Sequence, residues 1–330
     1  MADIVVDSSA LATTAVVPKR ARKKRSIGLW LAGGWMFLVF FAAAFGPWLP
    51  IPDPGAQGKC TTHQPRPKLD AAGHKIVVNG AYVVVEDPGC PAQTAADDSA
   101  AAVPSARHLL GNDQIGRDLL ARVVAGARTT VVIAFGAVLA AVVIGGIIGA
   151  VIAYIGRWLD AVVTSLLAGL LAMPAIVMAI ALVAAFGRSV FTVWLSLTIV
   201  ATPAVAILSR GQALSLVRRE YVTASKMIGA KHRRVLWREV MPNLLPFAFV
   251  FVGIGVAAAI AAEGGLAVLG LGVPEPSTSW GALISDGRPL LATFPHISLV
   301  PSTVMFLTIW ATTFLTDQAR THFDVRESQL

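Results

Sequence analysis

The sequence predicts an all-α polytopic membrane protein of about six transmembrane helices, with both termini in the cytoplasm (N-in/C-in). Its composition, the length of its apolar stretches and the placement of its basic residues carry that expectation. Of 330 residues, 55% are hydrophobic and 14% are charged, whereas an ordinary soluble domain carries about 25% charged residues. A soluble chain this apolar could not cover its surface with polar groups. Six stretches reach the roughly 20 apolar residues that one membrane-crossing helix needs; they run over 27–50, 129–155, 161–186, 190–208, 244–271 and 297–315. They must be helices, because lipid offers no partner for backbone amides, and the ten-residue alternation of a membrane barrel is not found.

Lys19, Arg20, Arg22, Lys23, Lys24 and Arg25 stand just before the first stretch, which places the N-terminus inside. That stretch is too long, and its basic run starts too far in, for a cleavable signal peptide. Six crossings return the C-terminus to the same side. Segment 210–241 is then cytoplasmic, and its Arg210, Arg218, Arg219, Lys226, Lys231, Arg233, Arg234 and Arg238 face only Glu220 and Glu239. The net charge of +8 is therefore mostly topology and does not call for a nucleic-acid partner.

The chain divides into a disordered basic cytoplasmic leader (1–26), the first span (27–50), an extracytoplasmic loop insertion (51–107), a core (108–316) and a cytoplasmic tail (317–330). In the insertion, Lys75–Val85 reads as two β-prone runs around Asn79-Gly80, the signature of a hairpin with a type I′ turn. Cys60 and Cys90, the only cysteines, bracket it. Disulfides persist outside the cytoplasm, and a Cys60–Cys90 bridge closing about 31 residues would contribute roughly 3–4 kcal/mol; the alternative is two free thiols. No metal site is expected, because His63 and His74 fit no usual ligand spacing.

Before the second span, Arg117, Asp118, Arg122 and Arg128 alternate with Leu119, Leu120, Val123 and Val124. That pattern predicts an amphipathic interfacial segment whose charges anchor it. Pro174 and Pro203 fall inside the third and fourth stretches, where a proline frees a carbonyl and bends the helix. With Glu263, the one acidic residue near a span boundary, they are the candidates for a path or gate; a solvated helix end is the other reading of Glu263, since Gly264 and Gly265 follow it. Thr198, Thr202 and Ser209 read either as helix–helix glue or as path lining. G-x-x-x-x-G-K-[ST], H-E-x-x-H and G-x-S-x-G do not occur, so the chain offers no P-loop, no catalytic residue and no cofactor site of its own.

Segment 218–247 is the most informative. Glu220 to Met227 reads as a helix with an acidic start, which Gly229 ends in a left-handed conformation. Ala224, Ser225, Gly229 and Ala230 form a small-residue surface, and a second helical piece over 233–240 stops at Pro242. A short, basic, flat helical hairpin of this kind suits docking to a cytoplasmic protein.

This loop resembles the ATPase-docking motif of bacterial ABC importer permeases, in which E-A-A is followed by three residues, a Gly and a run to a Pro. Thr223, Ala224, Ser225, Gly229 and Pro242 stand at those places; Thr223 replaces the Glu and Ser225 the second Ala, while Glu239 and Met241 stand where apolar residues are usual. Arg219-Glu220-Tyr221 and Pro242-Asn243 resemble the peptide branch. His108, Leu110, Gly111, Asp113, Gly116, Arg117, Asp118, Arg122, Gly126, Ala127 and Arg128 resemble its block before the second span, with Asn112 for the usual Thr. Leu269-Gly270-Leu271-Gly272, Pro274, Pro276, Ser279-Trp280-Gly281 and Asp286-Gly287 resemble its block after the fifth span, and Asp317, Arg320 and Asp324 match the tail more weakly.

The resemblance implies the type I ABC importer fold, with a coupling helix at about 219–235. It implies a bacterial, multi-pass inner-membrane subunit, the second (C-type) permease of a dipeptide or oligopeptide importer. Docking would fall to Glu220, Tyr221, Thr223, Ala224, Ser225, Lys226, Gly229, Ala230 and Pro242. The implied partners are a second homologous permease chain, two ABC ATPase subunits (or one with two ATPase domains) that bind ATP and Mg, an extracytoplasmic peptide-binding protein or lipoprotein, and membrane lipid. Nickel chelates or haem are the alternative cargo. A secondary transporter would be expected to carry ionisable groups at mid-membrane, and an intramembrane protease a nucleophile beside its base.

Overall fold

The computed structural model describes residues 27–56, 66–67, 77–78, 81–82, 84–85, 101–106 and 108–327, the stretch 321–327 as backbone only. The leader, Cys60, Cys90, His63 and His74 lie outside the described residues. Helix α1 (Ile27–Phe45) passes into a 3-10 turn with Pro47 in its first turn. Four two-residue strands follow: β1 (Arg66–Pro67), β2 (Val77–Val78), β3 (Ala81–Tyr82) and β4 (Val84–Val85). Val77 lies opposite Tyr82 and Val78 opposite Ala81, antiparallel across two intervening residues, while β1 pairs with β4.

The remaining elements are α2 (Leu119–Ile155), α3 (Arg157–Leu171), α4 (Ala175–Phe186), α5 (Val190–Val217), α6 (Glu220–Met227), α7 (His232–Val235), α8 (Met241–Val268), α9 (Trp280–Gly287) and α10 (His296–Glu327). Five helical runs are long and apolar enough to cross a membrane, and α3 with α4 makes a sixth if the pair is one span. The fold is thus polytopic and helical in its membrane part. On α1 only Ala32, Met36 and Val39 are buried, a single stripe at helical spacing. Trp35 Nε1 donates to Thr308 Oγ1 at 3.0 Å and ties α1 to α10. The main core gathers Ile133 and Ala137 of α2, Val193 of α5, and Val256 and Ile260 of α8.

Three expectations need correction. The third apolar stretch is broken rather than bent: α3 and α4 meet at 85°, and Pro174 sits at the N-cap of α4 rather than inside a helix. Each piece alone is shorter than a crossing needs. Pro203, by contrast, lies buried within an uninterrupted α5. Nor does the hairpin's second piece stop at Pro242. α7 runs through a π turn (Leu236–Val240) straight into α8 and past Pro242, which lies in the first turn of α8.

The third correction concerns the segment before the second span, which is no interfacial anchor. Helix α2 begins abruptly at Leu119, where the Asp118 side chain accepts from the Ala121 N–H, and Asp113, Arg117, Asp118 and Arg122 are all buried. Asp113 accepts from Arg117 Nε at 2.7 Å and from Arg122 Nη1, and from the backbone N–H groups of Ile115 and Arg117. Arg117 also donates to Glu275 at 2.8 Å, and Arg122 lies 3.8 Å from Asp286. The spacing that looks amphipathic is a buried ion-pair network, which holds the chain before α2 against the loop before α9. Only Arg128 points outward.

α2 and α5 approach through Gly145 and Gly149, a small-x-x-x-small pair that lets helices touch in a membrane. A Cβ at Gly149 would stand 2.7 Å from the Arg210 backbone nitrogen, and one at Gly145 2.8 Å from the Thr202 carbonyl oxygen, whereas Gly146 faces open space. Gly149→Val is therefore expected to cost at least about 1–3 kcal/mol, because facing backbone cannot move aside as a side chain can. Thermal unfolding of the purified chain should show a lowered midpoint for Gly149→Val and little change for Gly146→Val.

Candidate functional site

Val217 ends α5, and Arg219 turns the chain in an extended conformation before α6 begins. Glu220 lies in the first turn of α6 and Lys226 in the last, each sign opposing the helix-dipole end it sits on. The helix closes with a Schellman motif: Ala230 N–H donates to Ser225 O at 3.1 Å and Gly229 N–H to Lys226 O at 3.0 Å. Gly229 has φ +82°, a left-handed conformation in which a side chain is disfavoured.

The hairpin has an inner and an outer face. Val222 and Val235 are fully buried, and Val240 and Leu244 join Ala150, Ala153 and Ala213 at the ends of α2 and α5. On the outer face Glu220, Tyr221, Thr223, Ala224, Lys226 and Gly229 are exposed, while Ser225 and Ala230 are half-buried. Pro242 is exposed at the start of α8. At the tip, Met227 and Ile228 are 84% and 86% exposed, the highest values for large apolar side chains among the described residues. They lie outside every apolar span, so lipid does not account for their exposure.

One residue fastens this hairpin to the spans. Tyr154, near the end of α2, meets His232 Nδ1 through its hydroxyl at 2.9 Å, and Lys226 Nζ stands 4.9 Å from its ring centroid. It therefore touches both α6 and the start of α7. A neutral hydrogen bond contributes about 0.5–1.5 kcal/mol and an exposed cation–π contact about 0.5–1 kcal/mol. Tyr154→Phe should speed amide exchange at Ile228 and Gly229 by roughly 5-fold, and Tyr154→Leu by more, since it removes both contacts. Hydrogen-exchange mass spectrometry of the 218–240 segment reads this directly.

The sequence shows Tyr154 only as one of three tyrosines, placed at a span end. A second missed contact is the two-pronged ion pair of Arg210 with Asp160, its Nη2 to Oδ2 prong at 2.6 Å, which pins α3 to α5 at the same end of the molecule. These two charges flank the third and fourth apolar stretches from outside, which is the signal that could have linked them.

Glu263 is not a solvated helix end. Helix α8 continues past it to Val268, and its side chain is fully buried. Oε1 accepts from Ser279 Oγ at 2.6 Å, and Ser279 in turn caps α9 by accepting from the Ala282 N–H. Glu263 thus fastens α9 to α8. Thr198 and Thr202 bond mainly to carbonyls of their own helix, with Thr198 also 3.5 Å from the Ala137 oxygen on α2.

Residues 141–329 match the family model described as binding-protein-dependent transport system inner membrane component. The chain belongs to this family. The dipeptide transport system permease protein DppC of Alkalihalophilus pseudofirmus is 34% identical over 221 residues, 67% of this chain and 73% of the relative. The oligopeptide transport system permease protein OppC of Haemophilus influenzae is 33% identical over 229 residues, 69% and 74% of the two chains. The glutathione transport system permease protein GsiD of Pectobacterium atrosepticum is 32% identical over 221 residues, again 67% and 73%. As a member of the family, this chain is a multi-pass membrane component of a transport system and a non-catalytic one. The matched region takes in the C-terminal part of α2 and the chain from α3 to α10, hairpin included, so the hairpin's inner anchors and its exposed tip both belong to the shared part.

Proposed function

We propose that this chain is a permease subunit of an ATP-driven ABC importer for peptides in the bacterial inner membrane. It forms half of the translocation path and passes motion from ATPase subunits to the spans. The observation that carries this reading is the hairpin tip, where Met227 and Ile228 stand exposed beyond the membrane on a rigidly capped turn. Large apolar side chains left bare outside lipid mark a protein-interaction surface. The relatives that share this part of the chain are named as dipeptide, oligopeptide and glutathione permeases, which favours a peptide cargo. The docking set is Glu220, Tyr221, Thr223, Ala224, Ser225, Lys226, Gly229, Ala230 and Pro242, now with Met227 and Ile228.

The partners in this reading are a second, homologous permease chain, two ATPase subunits or one with two ATPase domains, and an extracytoplasmic peptide-binding protein. ATP and Mg bind to the ATPases. Their closure draws the hairpins together and biases the spans between two rigid arrangements. Val222 and Val235 under the hairpin, Tyr154, and the Asp160–Arg210 pair are the contacts through which a displaced hairpin would pull on α2, α3 and α5.

Vesicles holding the assembled complex test this. Uptake of a labelled dipeptide or oligopeptide should require both ATP and the binding protein. Uptake driven by an ion gradient without ATP would contradict the ATP-driven reading. Uptake of a nickel chelate or haem with no peptide uptake would contradict the cargo and leave the architecture standing.

A further inference from the structure

Two cavities meet at Trp237, the half-exposed tryptophan of the π turn. One is an apolar cleft of about 200 Å³ within the spans, lined by Gly146 of α2, Val205 of α5, and Met241, Leu244, Phe247 and Phe251 of α8. The other is an open basin of about 440 Å³ on the cytoplasmic end, lined by Lys231, Arg233, Arg234, Arg238 and the same Trp237. All four cations are exposed, and none has a carboxylate within ion-pair distance among the described residues. Four like charges around one basin repel one another unless an anion sits between them. A tryptophan with an apolar region on one side and cations on the other occupies the headgroup level of a membrane.

We propose that this basin and cleft together bind one anionic phospholipid, its phosphate held among Lys231, Arg233, Arg234 and Arg238 and an acyl chain in the cleft beneath Trp237. The two halves call for the two halves of such a molecule. A free phosphate would satisfy the cations but leave the cleft empty. A zwitterionic lipid would fill the cleft but bring a compensating cation into a basin already rich in them. Basic clusters at the cytoplasmic end of spans attract anionic headgroups by about 1 kcal/mol per Lys or Arg. Because α7 carries Lys231 through Arg234 into the docking hairpin, a bound lipid would brace the hairpin's base from the bilayer side. The site does not depend on which cargo is carried.

The test uses the full chain in neutral detergent, with lipid binding read by native mass spectrometry. Phosphatidylglycerol should bind, and phosphatidylcholine with the same acyl chains at least tenfold more weakly. The double variant Arg234→Gln/Arg238→Gln should weaken phosphatidylglycerol about 30-fold, and Arg234→Lys/Arg238→Lys should retain most of the binding. Both pairs are exposed, so a correctly folded variant is expected, and a thermal midpoint equal to the parent's confirms it. Inorganic phosphate should displace the lipid only at far higher concentration. Unchanged binding in the Gln variant, or equal binding of phosphatidylcholine, overturns the proposal. So does inorganic phosphate binding as tightly as the lipid, which would mean an anion site without a chain site. An assembled complex that holds no lipid, while the isolated chain does, assigns the patch to a protein partner and overturns it too.

Discussion

Chains carrying Ala224→Trp or Gly229→Val are expected to reach the membrane at normal levels, recover little ATPase on pull-down and import little peptide. The two substitutions act by different physics. Ala224 is exposed, so a tryptophan there meets nothing in the free chain. Its bulk matters only when a partner surface must close over α6, where overpacking costs about 1–3 kcal/mol, a roughly 5- to 150-fold loss of affinity. Gly229 also has open space around it, but its φ is +82°. A β-branched residue there would be disfavoured by about 1–2 kcal/mol, which weakens the Schellman turn and lets the tip bearing Met227 and Ile228 drift. Since neither residue touches the core, unfolding midpoints should remain near the parent's. Normal ATPase recovery with both variants would show that docking does not use this face.

Arg122→Ala is expected to have the largest effect on the fold itself. The Arg122 side chain is 4% exposed and that of Asp113 is 3%, so removing the cation strands buried charge. Breaking a buried pair from one side typically costs about 3–5 kcal/mol. Arg117 remains on Asp113, which places the loss toward the lower end, but Asp286 loses its nearby Arg122 charge as well. Burial pushes the Asp113 carboxyl up, yet the hydrogen bonds from Arg117 and Ile115 and the Arg122 charge outweigh it and hold the group below its ordinary 3.8. A lowered folded value gives stability that is present above the ordinary value and lost as pH falls through the lowered one. Without Arg122 the folded value moves back toward the ordinary one, so this contribution is smaller and its loss is complete at a higher pH. Thermal unfolding across acid pH should therefore show a lower midpoint for Arg122→Ala near neutral pH, with a gap to the parent that narrows as pH falls through the ordinary carboxylate range. Arg122→Lys should rescue only part of it, because an ammonium cannot reach Asp113, Thr278 and Asp286 together as the guanidinium fork does.

The sequence disclosed what depends on one-dimensional pattern. Span number, the helix from Glu220 to Met227 and the left-handed Gly229 all follow from apolar run length, the charge of a first turn and a glycine after a last turn. What it concealed depends on which residues meet across distance. Arg117 and Arg122 look like an interfacial face because helical spacing is all that is visible; their partners Glu275, Thr278 and Asp286 lie more than 150 positions away. Glu263 looks like a boundary charge until Ser279 is seen to donate to it. The break at Pro174 was marked by the proline itself, but a proline inside an apolar run reads equally as a bend, and only packing against α5 and α8 decides between bend and break. Met227 and Ile228 were passed over because apolar residues in an apolar chain draw no notice. Their meaning comes from exposure outside the spans.

The most direct test of the central claim is a photo-crosslinking side chain placed at Ala224 in the assembled transporter, compared with the same group at Ala102, which lies in the loop expected on the opposite side of the membrane. The account predicts a crosslink from Ala224 to an ATPase subunit, with a yield that changes when ATP is bound, and none from Ala102. A crosslink to the ATPase from Ala102, or none from Ala224 in a complex that still hydrolyses ATP and imports peptide, would contradict it.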